Sequence, residues 1–195
     1  MRKLTLILTA LLASMFLMSA CSEDNSQSET LSKKINNDTK SEEKNEVDGE
    51  IPVYQIGETA VITSDLYDFD YEVTVTDFNL TKEVDGVKIE DYILGAEDDE
   101  YAKFAVIDIT IKNISDESYV PNEMFSANFA RENDRGGVTS EDEFFEVGDK
   151  ELAPGEELEG HLVYVILLDD SETFTLKYEF MSDEETHFIL PNPEK

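Results

Sequence analysis

The stretch Lys103-Phe104-Ala105-Val106-Ile107-Asp108-Ile109-Thr110-Ile111-Lys112 alternates apolar and polar side chains with a period of two. Successive residues of a strand point to opposite faces. Ala105, Ile107, Ile109 and Ile111 therefore share a core face, while Asp108, Thr110 and Lys112 look outward. Phe104 and Val106 interrupt the polar side, which predicts that the first half of this strand is covered on both faces.

Working outward, the same signature recurs in short runs. Val53-Tyr54-Gln55-Ile56 stops at Gly57-Glu58 and resumes as Thr59-Ala60-Val61-Ile62-Thr63. Tyr71 to Phe78 alternates, with Tyr71, Val73, Val75 and Asp77 on one side and Glu72, Thr74, Thr76 and Phe78 on the other. Val84-Asp85-Gly86-Val87 carries the Asp-Gly pair of a two-residue hairpin. Phe125 to Ala130 and Glu143 to Val147 read as further short runs, with a turn at Asn133 to Gly137 between them. Pro154-Gly155-Glu156 is a turn that launches Leu158 to Leu167, and Thr173 to Phe180 follows. Little helix is expected. Seven to nine short strands with regular turn signals predict an all-β, immunoglobulin-like β-sandwich over residues 53–195.

The N-terminus has another character. Arg2 and Lys3 precede an apolar run from Leu4 to Met18, too short and too soon interrupted by Ser22-Glu23-Asp24 for a membrane span. A basic start, an apolar middle and a small-residue end make residues 1–20 an export signal. Met18-Ser19-Ala20-Cys21 resembles the lipobox of bacterial lipoproteins, with Met18 where Leu is usual. That resemblance implies cleavage before Cys21 and diacylation of its thiol. Two acyl chains matter because a single chain holds a protein to a membrane only marginally and reversibly. Cys21 is the one cysteine of the chain, which rules out an intramolecular disulfide and a thiolate metal cluster.

Residues 21–52 comprise the lipidated cysteine and a polar linker, which holds very few large apolar side chains and cannot bury enough surface to offset chain entropy. A flexible chain of this length spans roughly 30 Å, with a contour limit of about 100 Å.

The chain carries 46 acidic and 15 basic residues, a net charge of −31, and 37 of the acids against 9 of the bases lie in residues 53–195. Phosphate backbones are bound by Lys and Arg displacing counterions, so nucleic acid is excluded as a partner. Anionic headgroups are repelled as well, leaving the acyl anchor to hold the protein at the cell membrane. Solubility in a salty or alkaline medium accounts for the acidity.

Taken together, Tyr54 to Thr59, Lys103 to Asn113, and Leu152-Ala153-Pro154-Gly155-Glu156 with Gly160 resemble the extracellular domain of unknown function found in many bacterial lipoproteins. That domain is related in fold to a secreted mycobacterial immunoprotective antigen and is described as telokin-like. The resemblance implies a sandwich at the cell surface, usually with no assigned activity, and transfers no catalytic residue.

Few residues invite chemistry. His161 and His187 fall in different strands, short of the three or four N or S ligands of a zinc site. No Gly-x-Ser-x-Gly elbow or phosphate-cradling glycine spacing occurs. Calcium takes six to eight oxygens, and the weak candidates for it are Asp65, Asp68 and Asp70, and Glu97-Asp98-Asp99-Glu100. Neither set has the spacing of a helix–loop–helix site. Asn37, Asn79 and Asn113 head Asn-x-Ser/Thr triplets, which matter only in a eukaryotic secretory route.

The expectation is a non-enzymatic, membrane-anchored extracellular binding module with no required cofactor, its partner an envelope or extracellular protein or a wall component. The alternative is a calcium-dependent adhesion or sensing module. Sandwiches present loops at their ends, which directs attention to residues 65–70, 91–100 and 131–140.

Overall fold

The computed structural model describes residues 50–131 and 134–195, and within them the alternating stretch becomes β6, Ala102–Asn113, an interior strand of a β-sandwich. One sheet has the order β2 (Thr59–Thr63), β3 (Asp70–Thr81), β6, β9 (Glu157–Leu167). The other has the order β1 (Val53–Gln55), β11 (Thr186–Pro191), β10 (Thr173–Tyr178), β7 (Ala127–Arg131), β8 (Val138–Thr139). β1 runs parallel to β11, pairing Val53 with His187, and every other ladder is antiparallel. Between β1 and β2 the chain changes sheets at Gly57, whose φ of +88° suits a residue without a side chain. The expected signal peptide, Cys21 and most of the expected linker lie outside the described residues.

The inner faces meet in an aromatic-rich core. Ile107, Ile109 and Ile111 of β6 face inward as their spacing predicts, beside Tyr71, Val73 and Val75 of β3. Phe174 on β10 lies 5.1 Å from Phe129 and 5.8 Å from Phe78, ring centre to ring centre.

Phe78 corrects the expected alternation. The β3–β6 register shifts between Val75 and Asp77. This bulge puts one extra residue into β3, so Phe78 and Leu80 turn into the core and Asp77 turns out to solvent.

A second layer covers the outer face of β6 and β9. Val84, Ile89, Ala96 and Phe144 pack there on Ala102, Phe104 and Val163, which explains why the start of β6 is apolar on both sides. The layer is carried by a two-stranded hairpin, β4 (Glu83–Val84) and β5 (Val87–Lys88). Its turn places Asp85 at φ +52° and Gly86 at φ +83°, the two positive values that an Asp-Gly hairpin turn requires.

Glu143 to Val147 is not a strand. The segment forms two 3₁₀ turns, Asp142–Phe144 and Glu146–Asp149. Phe144 and Phe145 belong to different cores, Phe144 to the outer layer and Phe145 to the sandwich interior. A short helical turn sends adjacent rings in divergent directions. The only α-helix among the described residues is the single turn α1, Pro121–Met124.

The ring of Phe145 is wedged between two glycines, one against each of its edges. A Cβ at Gly160 would sit 2.6 Å from that ring, and one at Gly148 would sit 2.4 Å from it. Gly160→Ala is therefore expected to lower unfolding stability by about 1–3 kcal/mol through overpacking, measured by urea denaturation; an unchanged midpoint would show that Phe145 moves aside freely.

Candidate functional site

The loops after β2, β6 and β10 converge at one end of the sandwich. Register fixes this: Tyr71 at the start of β3 faces Asn113 at the end of β6, and Tyr178 at the end of β10 faces Ala127 at the start of β7. The N-terminal approach to β1 lies at the same end, since the His187 amide donates to the Pro52 carbonyl at 2.9 Å.

Glu179 ties the end of β10 to the loop after β2 and the start of β3. At φ +48° it leaves the strand path of β10. It accepts the Tyr71 hydroxyl on Oε1 at 2.8 Å and the Asp65 amide on Oε2 at 3.2 Å. Burial raises its carboxyl above the ordinary carboxylate range, with Asp65 and Glu184 adding to the rise and the two hydrogen bonds opposing it. Tyr71 is pushed well above the usual phenol range by burial first and by the Glu179 charge second. Tyr119 and Tyr178 are also raised by burial, and their hydroxyls are buried without a hydrogen-bond partner among the described residues.

Beside this knot lies an open depression of about 740 Å³. Its floor is aromatic: Phe69 stacks on Tyr119 at 4.4 Å, and exposed Tyr67 lies 6.5 Å from Phe69. Its rim carries Asp68, Asp70, Asp116 and Glu117.

The far wall is fixed by Asn113. Its side-chain amide donates to the carbonyls of Glu117 and Leu152, both at 2.8 Å, while its Oδ1 accepts the Ser115 amide and hydroxyl at 2.9 and 2.8 Å. Every polar group of this buried side chain is used. The two phrases Lys112-Asn113 and Leu152 to Glu156 are thereby stapled together, with the Asn113 amide bonded to Glu156 and the Gly155 amide to Asn113.

The expected acidic candidates separate. Asp65, Asp68 and Asp70 lie at the end just described, whereas Glu97, Asp98, Asp99 and Glu100 precede Ala102 at the opposite end of β6, roughly 36 Å away along twelve residues. The second set already has a cation: Lys82 Nζ donates to the Ala96 and Glu97 carbonyls, both at 3.2 Å. Asp99 accepts the Tyr101 amide at 2.9 Å, and Asp70 accepts the Thr63 hydroxyl at 2.7 Å. Among the described residues no three His, Cys, Asp or Glu side chains gather as a metal-holding group. His161 and His187 stand apart on β9 and β11, paired with Asp85 at 3.1 Å and Glu185 at 2.6 Å.

Glu179, Tyr71 and Tyr119 escape a reading of the sequence. Nothing in Tyr178-Glu179-Phe180 marks a left-handed residue, because that conformation falls here on a non-glycine.

A family model described as a domain of unknown function, DUF4352, matches residues 54–186. The chain belongs to that family. Among solved structures it is similar to a conserved hypothetical protein from Bacillus anthracis, at 22% identity over 66% of this chain and 96% of that one, with a TM-score of 0.41. It is also similar to the secreted protein MPT63 from Mycobacterium tuberculosis, at 13% identity over 73% and 98%, TM-score 0.42. An uncharacterized β-sandwich protein from Clostridium difficile 630 is similar at 15% identity over 72% and 96%, TM-score 0.43. No curated protein matches.

The raised Glu179 carboxyl has a definite sign. The folded state holds its proton more tightly than the unfolded chain does, so its contribution to stability is full below the unfolded value near 4.3 and is lost as pH rises through the higher folded value. Glu179→Gln is expected to gain stability relative to the wild type as pH rises across that window and to hold a constant difference above it. Paired urea titrations from pH 4 to 8 measure this, and parallel curves would refute it.

Proposed function

We propose that this protein is a non-enzymatic binding module, lipid-anchored through Cys21 on the outer face of the cell membrane, whose aromatic-floored acidic depression receives a cationic group of an envelope or wall partner. The observation that carries this reading is the Phe69–Tyr119 stack set beneath Asp68, Asp70, Asp116 and Glu117. Aromatic faces attract cations, and carboxylates at the rim pair with amines or guanidinium groups. The anchoring half of the reading is supported by the Met18-Ser19-Ala20-Cys21 resemblance and by the apolar run before it.

Two expectations follow. The native polypeptide begins at an acylated Cys21 and partitions into the detergent phase, and Cys21→Ser moves it to the aqueous phase; a mass spectrum with a bare thiol at that residue would end the anchoring half. Spermidine added to the protein shifts the NMR signals of Tyr67, Phe69 and Tyr119. Asp116→Asn with Glu117→Gln weakens that binding about fivefold, two exposed ion pairs counting roughly 0.5 kcal/mol each. Signals that respond to millimolar calcium and not to spermidine would instead support the calcium-dependent module.

A further inference from the structure

β9 is an edge strand, paired only with β6 in its sheet. The ends of that pairing define which of its backbone groups are free. The Asn113 amide donates to the Glu156 carbonyl at 3.0 Å and the Leu168 amide to the Tyr101 carbonyl at 2.8 Å, so the even-numbered residues of this segment bond to β6. By antiparallel alternation the odd-numbered residues turn amide and carbonyl outward. Val163 confirms the parity, because its carbonyl accepts the Glu141 amide at 2.8 Å from the other side. Beyond that rung the outward amides and carbonyls of Val165 and Leu167 have no hydrogen-bond partner among the described residues.

These open rungs line a groove of about 360 Å³ that faces Phe129 and Val138 of the opposite sheet. Leu167 and Val138 are 53% and 44% exposed. Residues 134–136 on the other wall are tied to β10: Lys177, only 6% exposed, donates to the carbonyls of Asp134, Arg135 and Gly136 at 2.8, 3.3 and 3.1 Å. All three ammonium donors are satisfied.

Charge distinguishes this groove from the rest of the surface. Arg131 and Arg135 are the only arginines after Arg2 in a chain of net charge −31, and both line it beside a single acid, Asp134. Arg131 pairs with Asp134 and Asp169, whereas Arg135 has no ion pair among the described residues. Salt screens distant charges beyond about 8 Å, and Arg131 is matched by its two carboxylates, so the Arg135 guanidinium is the charge left to meet what docks here.

We infer that the β9 edge at Val165 and Leu167 is a strand-addition site, and that it takes an extended segment of a partner protein carrying a carboxylate next to an apolar residue. The two rungs supply backbone hydrogen bonds, the exposed side chains of Val138 and Leu167 supply apolar contact, and Arg135 supplies the choice of charge, the division of labour seen in strand addition generally. This holds whether or not Cys21 is acylated, and the surface is separate from the acidic depression.

The test uses the full chain, solubilised in detergent, with a fluorescein-labelled peptide of alternating valine and glutamate, and a twin with threonine in place of glutamate. Amide exchange at Val165 and Leu167 reads the site, and anisotropy reads the affinity. The acidic peptide is expected to slow exchange at both amides and to bind about tenfold more tightly than its twin, and Arg135→Glu to abolish that preference. Leu167→Pro removes an outward N–H outside the ladder, a position where proline is tolerated, so it is expected to melt with the wild type and to lose the peptide. Three results would overturn the inference: no protection at the two amides, an unchanged preference in Arg135→Glu, or sedimentation as a dimer with those amides already protected, which would give the edge to a second copy.

Discussion

A strand buried on both faces cannot satisfy the alternation that a half-exposed strand obeys, and β6 faces this constraint along its first half. Its inner side chains belong to the sandwich core, while Ala102 and Phe104 belong to the outer layer. Each apolar residue in that position must be removed from water by something beyond the two sheets. The β4–β5 hairpin and the 3₁₀ turn of Asp142–Phe144 supply the cover, and Tyr92, Phe104 and Phe144 meet there as an aromatic trio with centroids 5.4 to 6.2 Å apart. The insertion between β3 and β6 is thus part of the fold and not an ornament on it.

The scarcity of basic residues gives the few lysines unusual weight. Lys82 and Lys177 spend their charge on main-chain carbonyls, each closing a loop that would otherwise present unpaired acceptors. In a chain so acidic, an internal ammonium does for a loop what a bound cation does elsewhere, without depending on the medium. Asn113 performs the neutral version of the same task with four hydrogen bonds. The acids, by contrast, mostly face water, and their number dilutes any meaning that a run such as Glu97 to Glu100 carries by itself.

What a reader could extract from the letters alone follows the physics of each element. Ile107, Ile109 and Ile111 announce their face because a strand repeats every two residues, and Asp85-Gly86 announces its turn because few other pairs tolerate two positive φ values. The sandwich class follows from those signals. Phe78 does not announce itself, since a bulge adds a residue without a compositional mark, and every side chain after it changes sides. Glu143 to Val147 looks like a strand because Phe144 and Phe145 are both apolar, yet they serve two separate cores. The site was least legible: Asp65, Asp68 and Asp70 were visible as acids, but Glu179, more than a hundred residues away, meets Asp65 only through tertiary structure.

The parallel pairing of β1 with β11 has a mechanical consequence. The chain enters β1 at the end where β11 begins, and β11 leads to the C-terminus at the opposite end. Tension applied between the two termini pulls these neighbours in opposing directions along their own axes. The rungs joining Val53, Tyr54 and Gln55 to β11 are then loaded together in shear and cannot be peeled one after another, which makes the terminal strands a brake against forced unfolding.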